Sequence, residues 1–99
     1  MHDYIINASL QVVPSVTDRH PYEWVDEAIA VIQKSKLKYE VCAFSTVIEG
    51  TYYEVTKVIN DINEYLYQQH CSGWLLNVQL QIRSGSDATV DEKTAKYKQ

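Results

Sequence analysis

Cysteine, proline and glycine are scarce in this chain, and each shortage narrows what the protein can be. Two cysteines, Cys42 and Cys71, are too few and too isolated for a disulfide framework. Three glycines, two prolines, 45% hydrophobic residues and 22% charged residues make an ordinary globular composition without a low-complexity segment. Ninety-nine residues can bury one modest core, so we expect one domain over residues 1–99.

Positive charge and long apolar runs are also in short supply. Nine basic residues stand against thirteen acidic ones, a net charge of −4, which argues against nucleic acid as a partner because phosphate binding depends on clustered Lys and Arg. No apolar run approaches the roughly 20 residues of a membrane span. The first residues lack the basic region and apolar segment of a signal peptide. We therefore expect a cytoplasmic protein.

The residues that usually carry catalysis or hold metals are scattered. The three histidines, His2, His20 and His70, form no pair at helical spacing and have no acidic partner at ligand spacing, so no metal site is predicted. Neither cysteine has a base among its sequence neighbours, as a nucleophile would require. The sequence thus predicts a binding protein with no catalytic residues, no metal and no cofactor.

Hydrophobic periodicity predicts six main elements in the order β-α-β-β-α-β. Residues 4–13 and 74–83 alternate as strands, residues 21–35 have helical spacing, and residues 39–44 and 46–49 form a hairpin. Thr51 and Glu54 form a capping box that begins the second helix. A second capping box at Thr89 predicts a short C-terminal helix. This is the α+β, ferredoxin-like βαββαβ arrangement, with both long helices on one face of the sheet.

The other face of the predicted sheet is polar but almost uncharged. Its members lie on the first and last strands: Asn7, Ser9, Gln11, Asn77, Gln79, Gln81 and Arg83. Because buried amides need hydrogen-bond partners, such a face is typical of a surface covered by another subunit. The alternative is a sheet face that is simply solvated.

Four segments carry a resemblance to a known family. They are INASLQVVP, YEWVDEAIAVI, LKYEVCAFSTVIEG and QLQIRSG, in this order along the chain. Together they resemble the small thiamine-binding proteins related to YkoF. The resemblance implies a ferredoxin-like fold, a homodimer or homotetramer, and a role in carrying or sequestering thiamine or its hydroxymethylpyrimidine part. The chain departs from the family at Ala43 and Ser45, usually proline and glycine, and at Gln79 and Gln81, usually lysine and aspartate.

Five residues are candidates for ligand contacts: Ser9, Gln11, Ser45, Thr46 and Glu49. Glu49 lies at the end of a strand, directly before a helix begins. Its carboxylate can accept a hydrogen bond from the amino group of an aminopyrimidine, and its negative charge can stabilise the thiazolium cation. Its alternative role is to place negative charge near a helix start. Ser9 and Gln11 are equally suited to contacts between subunits. Ser45 and Thr46 lie at a turn, where hydroxyl groups often form hydrogen bonds with the nearby backbone.

Further alternatives remain open from the sequence. Tyr22 or Trp24 can stack on a ligand ring, although packing on the helix face is the commoner use of such residues. An ACT-like small-molecule-sensing module shares the element order, but usually accompanies a catalytic or DNA-binding domain. A cofactor-free enzyme of the dimeric αβ-barrel type would need a base on the sheet face, where Asn, Ser and Gln cannot act as one. An RNA-recognition domain also shares the fold, but it is excluded, because it would need aromatics on the exposed face of its central strands, where the first strand has Asn7, Ser9 and Gln11.

Overall fold

The computed structural model describes residues 1–15 and 19–97. Its elements follow the predicted order: β1 Ile6–Pro14, α1 Pro21–Lys34, β2 Lys38–Val41, β3 Thr46–Gly50, α2 Tyr52–Gln68, β4 Trp74–Gln81, α3 Val90–Thr94 and a 3-10 turn Ala95–Tyr97. The ferredoxin-like α+β fold predicted from the sequence, with its short C-terminal helix, is confirmed. Within the described residues, no helix combines the length and apolar character needed to cross a membrane.

The four strands form one antiparallel sheet in the order β2-β3-β1-β4. The strand β1 is central and pairs with both β3 and β4, so that Ser9 lies opposite Val47 on one side and Gln79 on the other. The helices α1 and α2 join β1 to β2 and β3 to β4, pairs of strands that are not adjacent in the sheet, so the first and third strands occupy its centre.

The core lies between the sheet and the two long helices. Alternation along β1 sends Ile6, Ala8 and Leu10 toward the helices, where each is buried. Helical spacing supplies the opposing residues: Trp24, Ala28, Ile32, Val55, Val58, Ile62 and Leu66. Thr51 and Glu54 form the predicted capping box, with Thr51 accepting from the Glu54 N–H at 3.2 Å and the Glu54 carboxylate accepting from the Thr51 N–H at 2.9 Å.

Two strands end earlier than the alternation predicts. The strand β2 stops at Val41 because the Cys42 N–H donates to the Ser45 carbonyl at 2.8 Å and closes a turn. The strand β4 stops at Gln81, whose partner Asn7 is the last β1 residue in that ladder. The alternation of apolar residues thus continues beyond the point where the neighbouring strand can pair.

The helix-side face of β4 is only partly covered. Alternation puts Trp74, Leu76, Val78, Leu80 and Ile82 on one face of this strand, but only Trp74 and Leu76 pack against the core, whereas the other three are exposed. The reason is position: β4 is an edge strand, and the helices pack over β1 and β3. An apolar strip therefore remains on the surface beside an unpaired strand edge.

Candidate functional site

The turn between β2 and β3, residues 42–45, shapes one end of the sheet. Its closing hydrogen bond from Cys42 to Ser45 leaves Phe44 projecting outward, 84% exposed, while Thr46 directly after the turn is 5% exposed. A phenylalanine that buries almost nothing contributes little to folding. The turn thus presents an aromatic ring next to a buried hydroxyl.

An apolar cavity of about 390 Å³ lies on the helix side of this turn, and we call it the helix-side cavity. Its walls come from β1, α1 and the turn, and include Val12, Val25, Ile29, Val41 and Phe44. Polar groups reach it from Gln11, Ser45 and Thr46. A mainly apolar pocket with a few convergent polar groups is the usual form of a small-molecule site.

A second cavity, about 470 Å³, lies on the opposite face of the sheet, and we call it the open-face depression. Ser9, Gln11, Asn77 and Gln79 line it together with Phe44, Val78 and Ser45. The Asn77 amide donates to the Gln11 side-chain oxygen at 3.2 Å, which orients both amides. Because the two cavities share Gln11, Phe44 and Ser45, they adjoin at the turn.

Four of the five predicted ligand residues lie at these cavities. Ser9 lines the open-face depression, Thr46 lines the helix-side cavity, and Gln11 and Ser45 line both. The fifth, Glu49, lines neither cavity; it lies three residues beyond Thr46, toward the far end of β3. The ligand role of all five stays a prediction, but the geometry brings together only the first four.

Glu49 instead holds the C-terminal segment, residues 87–92. Its side chain is 11% exposed, and its carboxylate accepts the Val90 N–H at the start of α3. Lys38 lies 3.9 Å from the same carboxylate and donates to Asp91 at 2.7 Å, an interaction that, with the charge of Glu49, raises the pKa of Lys38. The helix start that Glu49 serves in this structure is therefore that of α3 and not that of α2.

The two aromatic candidates on α1 have different surroundings. Trp24 is 1% exposed and packs in the core, as expected, but Tyr22 is 72% exposed and lines the helix-side cavity. The expected helix-face packing is therefore wrong for Tyr22, because it lies in the first turn of α1, beside the turn at residues 42–45. Phe44 was not predicted from the sequence as a site residue. The feature that could have indicated it is the presence of a large aromatic residue in a turn.

No acid, base or metal cluster accompanies the cavities. The side chains that line them include no carboxylate, imidazole or amine in the described part of the chain. Among the described residues, no three His, Cys, Asp or Glu side chains come together in a group that could hold a metal ion. The cavities thus provide apolar contacts, neutral hydrogen-bonding groups and the Cys42 thiol, which has no imidazole or carboxylate among the lining residues to activate it.

Comparison with known proteins assigns the family. Residues 8–98 match the family model described as thiamine-binding protein. This chain belongs to that family. It is 32% identical to a UPF0045 protein of Clostridium perfringens over 92 residues, which cover 93% of this chain and 96% of the relative.

Two solved structures resemble the fold closely. One is a protein of Thermotoga maritima named for a proposed role in thiamine biosynthesis or salvage, with a TM-score of 0.86, 31% identity, and coverage of 95% of this chain and 99% of that one. The other is a domain of unknown function from Bacillus cereus, with a TM-score of 0.90, 28% identity, and coverage of 97% and 92%. The family resemblance seen in the sequence is confirmed.

Proposed function

We propose that this protein binds thiamine or its hydroxymethylpyrimidine part in the cytoplasm and carries or sequesters it without chemical change. Membership of the thiamine-binding family supports the ligand class. The observation that carries the proposal is the convergence of Gln11, Ser45 and Thr46 on an apolar cavity beside Phe44. An aminopyrimidine is flat and has both donor and acceptor edges, which an amide and two hydroxyls can match.

The charge of the protein and the content of the site support binding without catalysis. The net charge of −4 favours approach of the thiazolium cation through the overall field. General acid–base catalysis needs a titratable group within hydrogen-bond reach of the substrate. The described cavity residues offer neutral amides, hydroxyls, the Tyr22 phenol and the Cys42 thiol, and no carboxylate, imidazole or amine lines either cavity to activate that thiol or phenol. The proposed role is therefore retention of the vitamin.

Thermal unfolding with and without ligand tests this function. Ligand at 100 times its dissociation constant stabilises a protein by about 2.7 kcal/mol. In a domain of this size that raises the midpoint by roughly 10 °C or more, at about 4–8 °C per kcal/mol. We expect this shift with thiamine and with hydroxymethylpyrimidine, but not with the isolated thiazole alcohol.

The same samples provide the test of catalysis. Mass spectrometry after prolonged incubation should recover thiamine intact, whereas separate pyrimidine and thiazole fragments would show an enzyme. No shift with any of the compounds at millimolar concentration would contradict the binding function itself.

We also propose that the protein is a homodimer or homotetramer. The open face of the sheet is polar but nearly uncharged, Leu75 on it is 61% exposed, and β4 has an unpaired edge beside exposed Val78 and Leu80. Exposed apolar strand edges readily pair with another chain. Light scattering at micromolar concentration should therefore give a multiple of 11.4 kDa.

A charge on the open face should disrupt that assembly. Leu75→Glu is expected to lower the measured mass, since burying an unpaired carboxylate at an interface is costly. The matched control is Tyr67→Glu, which introduces the same charge on α2 at a position that is 72% exposed. A monomeric parent protein at these concentrations would contradict the proposal.

A further inference from the structure

We propose that the site prefers the unphosphorylated vitamin and discriminates against its phosphate esters; this inference rests on the proposed function. Every described side chain that lines the helix-side cavity or the open-face depression is neutral. A phosphate monoester carries a charge of about −1.5 to −2 at pH 7. Proteins bind such groups with Arg or Lys, or with free backbone N–H groups at a helix start.

The start of α1 borders the helix-side cavity but its first donors are already used. Pro21 has no N–H, the Tyr22 N–H donates to His20 Nδ1 at 3.2 Å, and the Glu23 N–H donates to the His20 carbonyl at 2.9 Å. Glu23 also adds negative charge to this first turn. The start of α1 therefore has few N–H donors with which to bind a phosphate group.

Three cations of the described residues are held by carboxylates. Arg19 donates to Glu27 at 2.9 Å and to Glu23 at 3.0 Å, and these bonds raise the pKa of its guanidinium. The other pairs are Lys38 with Asp91 at 2.7 Å and Arg83 with Glu92 at 2.5 Å. None of the three cations lines either cavity.

The two adjoining cavities also suggest how the ligand lies. The pyrimidine ring fits the apolar helix-side cavity, and the hydroxyethyl tail, which bears the phosphate in the esters, extends past Phe44 into the open-face depression. There the tail meets Ser9, Asn77 and Gln79, which can hydrogen-bond a hydroxyl. A phosphate group that enters this cavity loses its hydration shell, and neutral amides cannot compensate for the lost hydration of its charge.

Calorimetric titration with thiamine, thiamine monophosphate and thiamine diphosphate tests the inference. We expect the monophosphate to bind about ten-fold more weakly than thiamine, or worse, and the diphosphate more weakly still, because each unbalanced charge weakens binding. Equal or tighter binding of the monophosphate would overturn the inference while leaving the proposed function intact. Binding of none of the three compounds would contradict the proposed function, and this inference with it.

A gain-of-charge variant provides the matched comparison. Gln79→Lys places an ammonium group at the open-face depression and should strengthen monophosphate binding by roughly ten-fold. Gln79→Met has a similar length without charge; it loses the amide that can hydrogen-bond the tail, so it should bind thiamine somewhat more weakly than the parent and gain no affinity for the monophosphate. The inference is wrong if Gln79→Lys and Gln79→Met bind the monophosphate equally well. Charge at the open-face depression would then not determine the preference between thiamine and its monophosphate.

Discussion

Replacing Phe44 with alanine is expected to weaken thiamine binding by about 5- to 150-fold without lowering the thermal stability of the free protein. Stacking of an aromatic side chain on a base is worth roughly 1–3 kcal/mol, and each 1.4 kcal/mol is a factor of about ten in affinity. Phe44 borders both cavities and is 84% exposed, so its ring is available to a ligand and contributes little to the core.

Two controls separate stacking from a general loss of apolar surface. Phe44→Tyr keeps the ring and should bind thiamine within about two-fold of the parent protein, because stacking tolerates a change of substituent. Tyr67→Ala removes a ring that is 72% exposed on α2, away from both cavities, and should leave affinity unchanged. Calorimetric titration of all four proteins measures the difference. Parent-like affinity of Phe44→Ala would exclude the ring from the binding site.

The second large effect concerns Glu49. In Glu49→Gln, hydrogen exchange at the Val90 amide should become roughly ten-fold faster or more, since hydrogen bonds to charged groups are worth about 1.5–3 kcal/mol. The carboxylate accepts this N–H directly and also lies 3.9 Å from Lys38. Loss of the charge therefore favours local opening of the C-terminal segment while the sheet stays folded.

The same variant decides whether Glu49 also meets the ligand, as predicted from the sequence. A 10- to 150-fold fall in thiamine affinity, about 1.5–3 kcal/mol, would support that role. Unchanged affinity would leave Glu49 with the C-terminal segment alone. Glu40→Gln is the control: it removes a carboxylate from the same face of the sheet, on the exposed strand β2. Unaltered exchange at Val90 in Glu49→Gln would contradict the structural role described above.

Local patterns in the sequence were sufficient to predict most of the fold. The alternation of β1 identified Ile6, Ala8 and Leu10 as its buried face, because side-chain direction in a strand depends only on position. The Thr51–Glu54 capping box was equally readable, since both partners lie within one helical turn. The box predicted at Thr89 forms only in part: Thr89 accepts from the Glu92 N–H at 3.2 Å, but the Glu92 carboxylate pairs with Arg83.

The candidate site was less readable because it depends on contacts between distant segments. The contact of Glu49 with Val90 joins residues 41 positions apart and arises only when the C-terminal segment docks. Tyr22 reaches the helix-side cavity because α1 begins beside the turn at residues 42–45. By contrast, Gln11 and Ser45 could be brought to one end of the sheet by strand register alone, which the hairpin and the alternation of β1 define.

The central position of β1 also has a consequence for biosynthesis. This strand is the first of the four described strands to leave the ribosome, yet one of its two partners, β4, is the last of the four to be made. Pairing between such distant segments slows folding, because closing the long loop between them costs conformational entropy before any strand contact can stabilise the chain. Until Trp74–Gln81 emerges, the nascent chain exposes one edge of β1, so the sheet is completed only after β4 has been made.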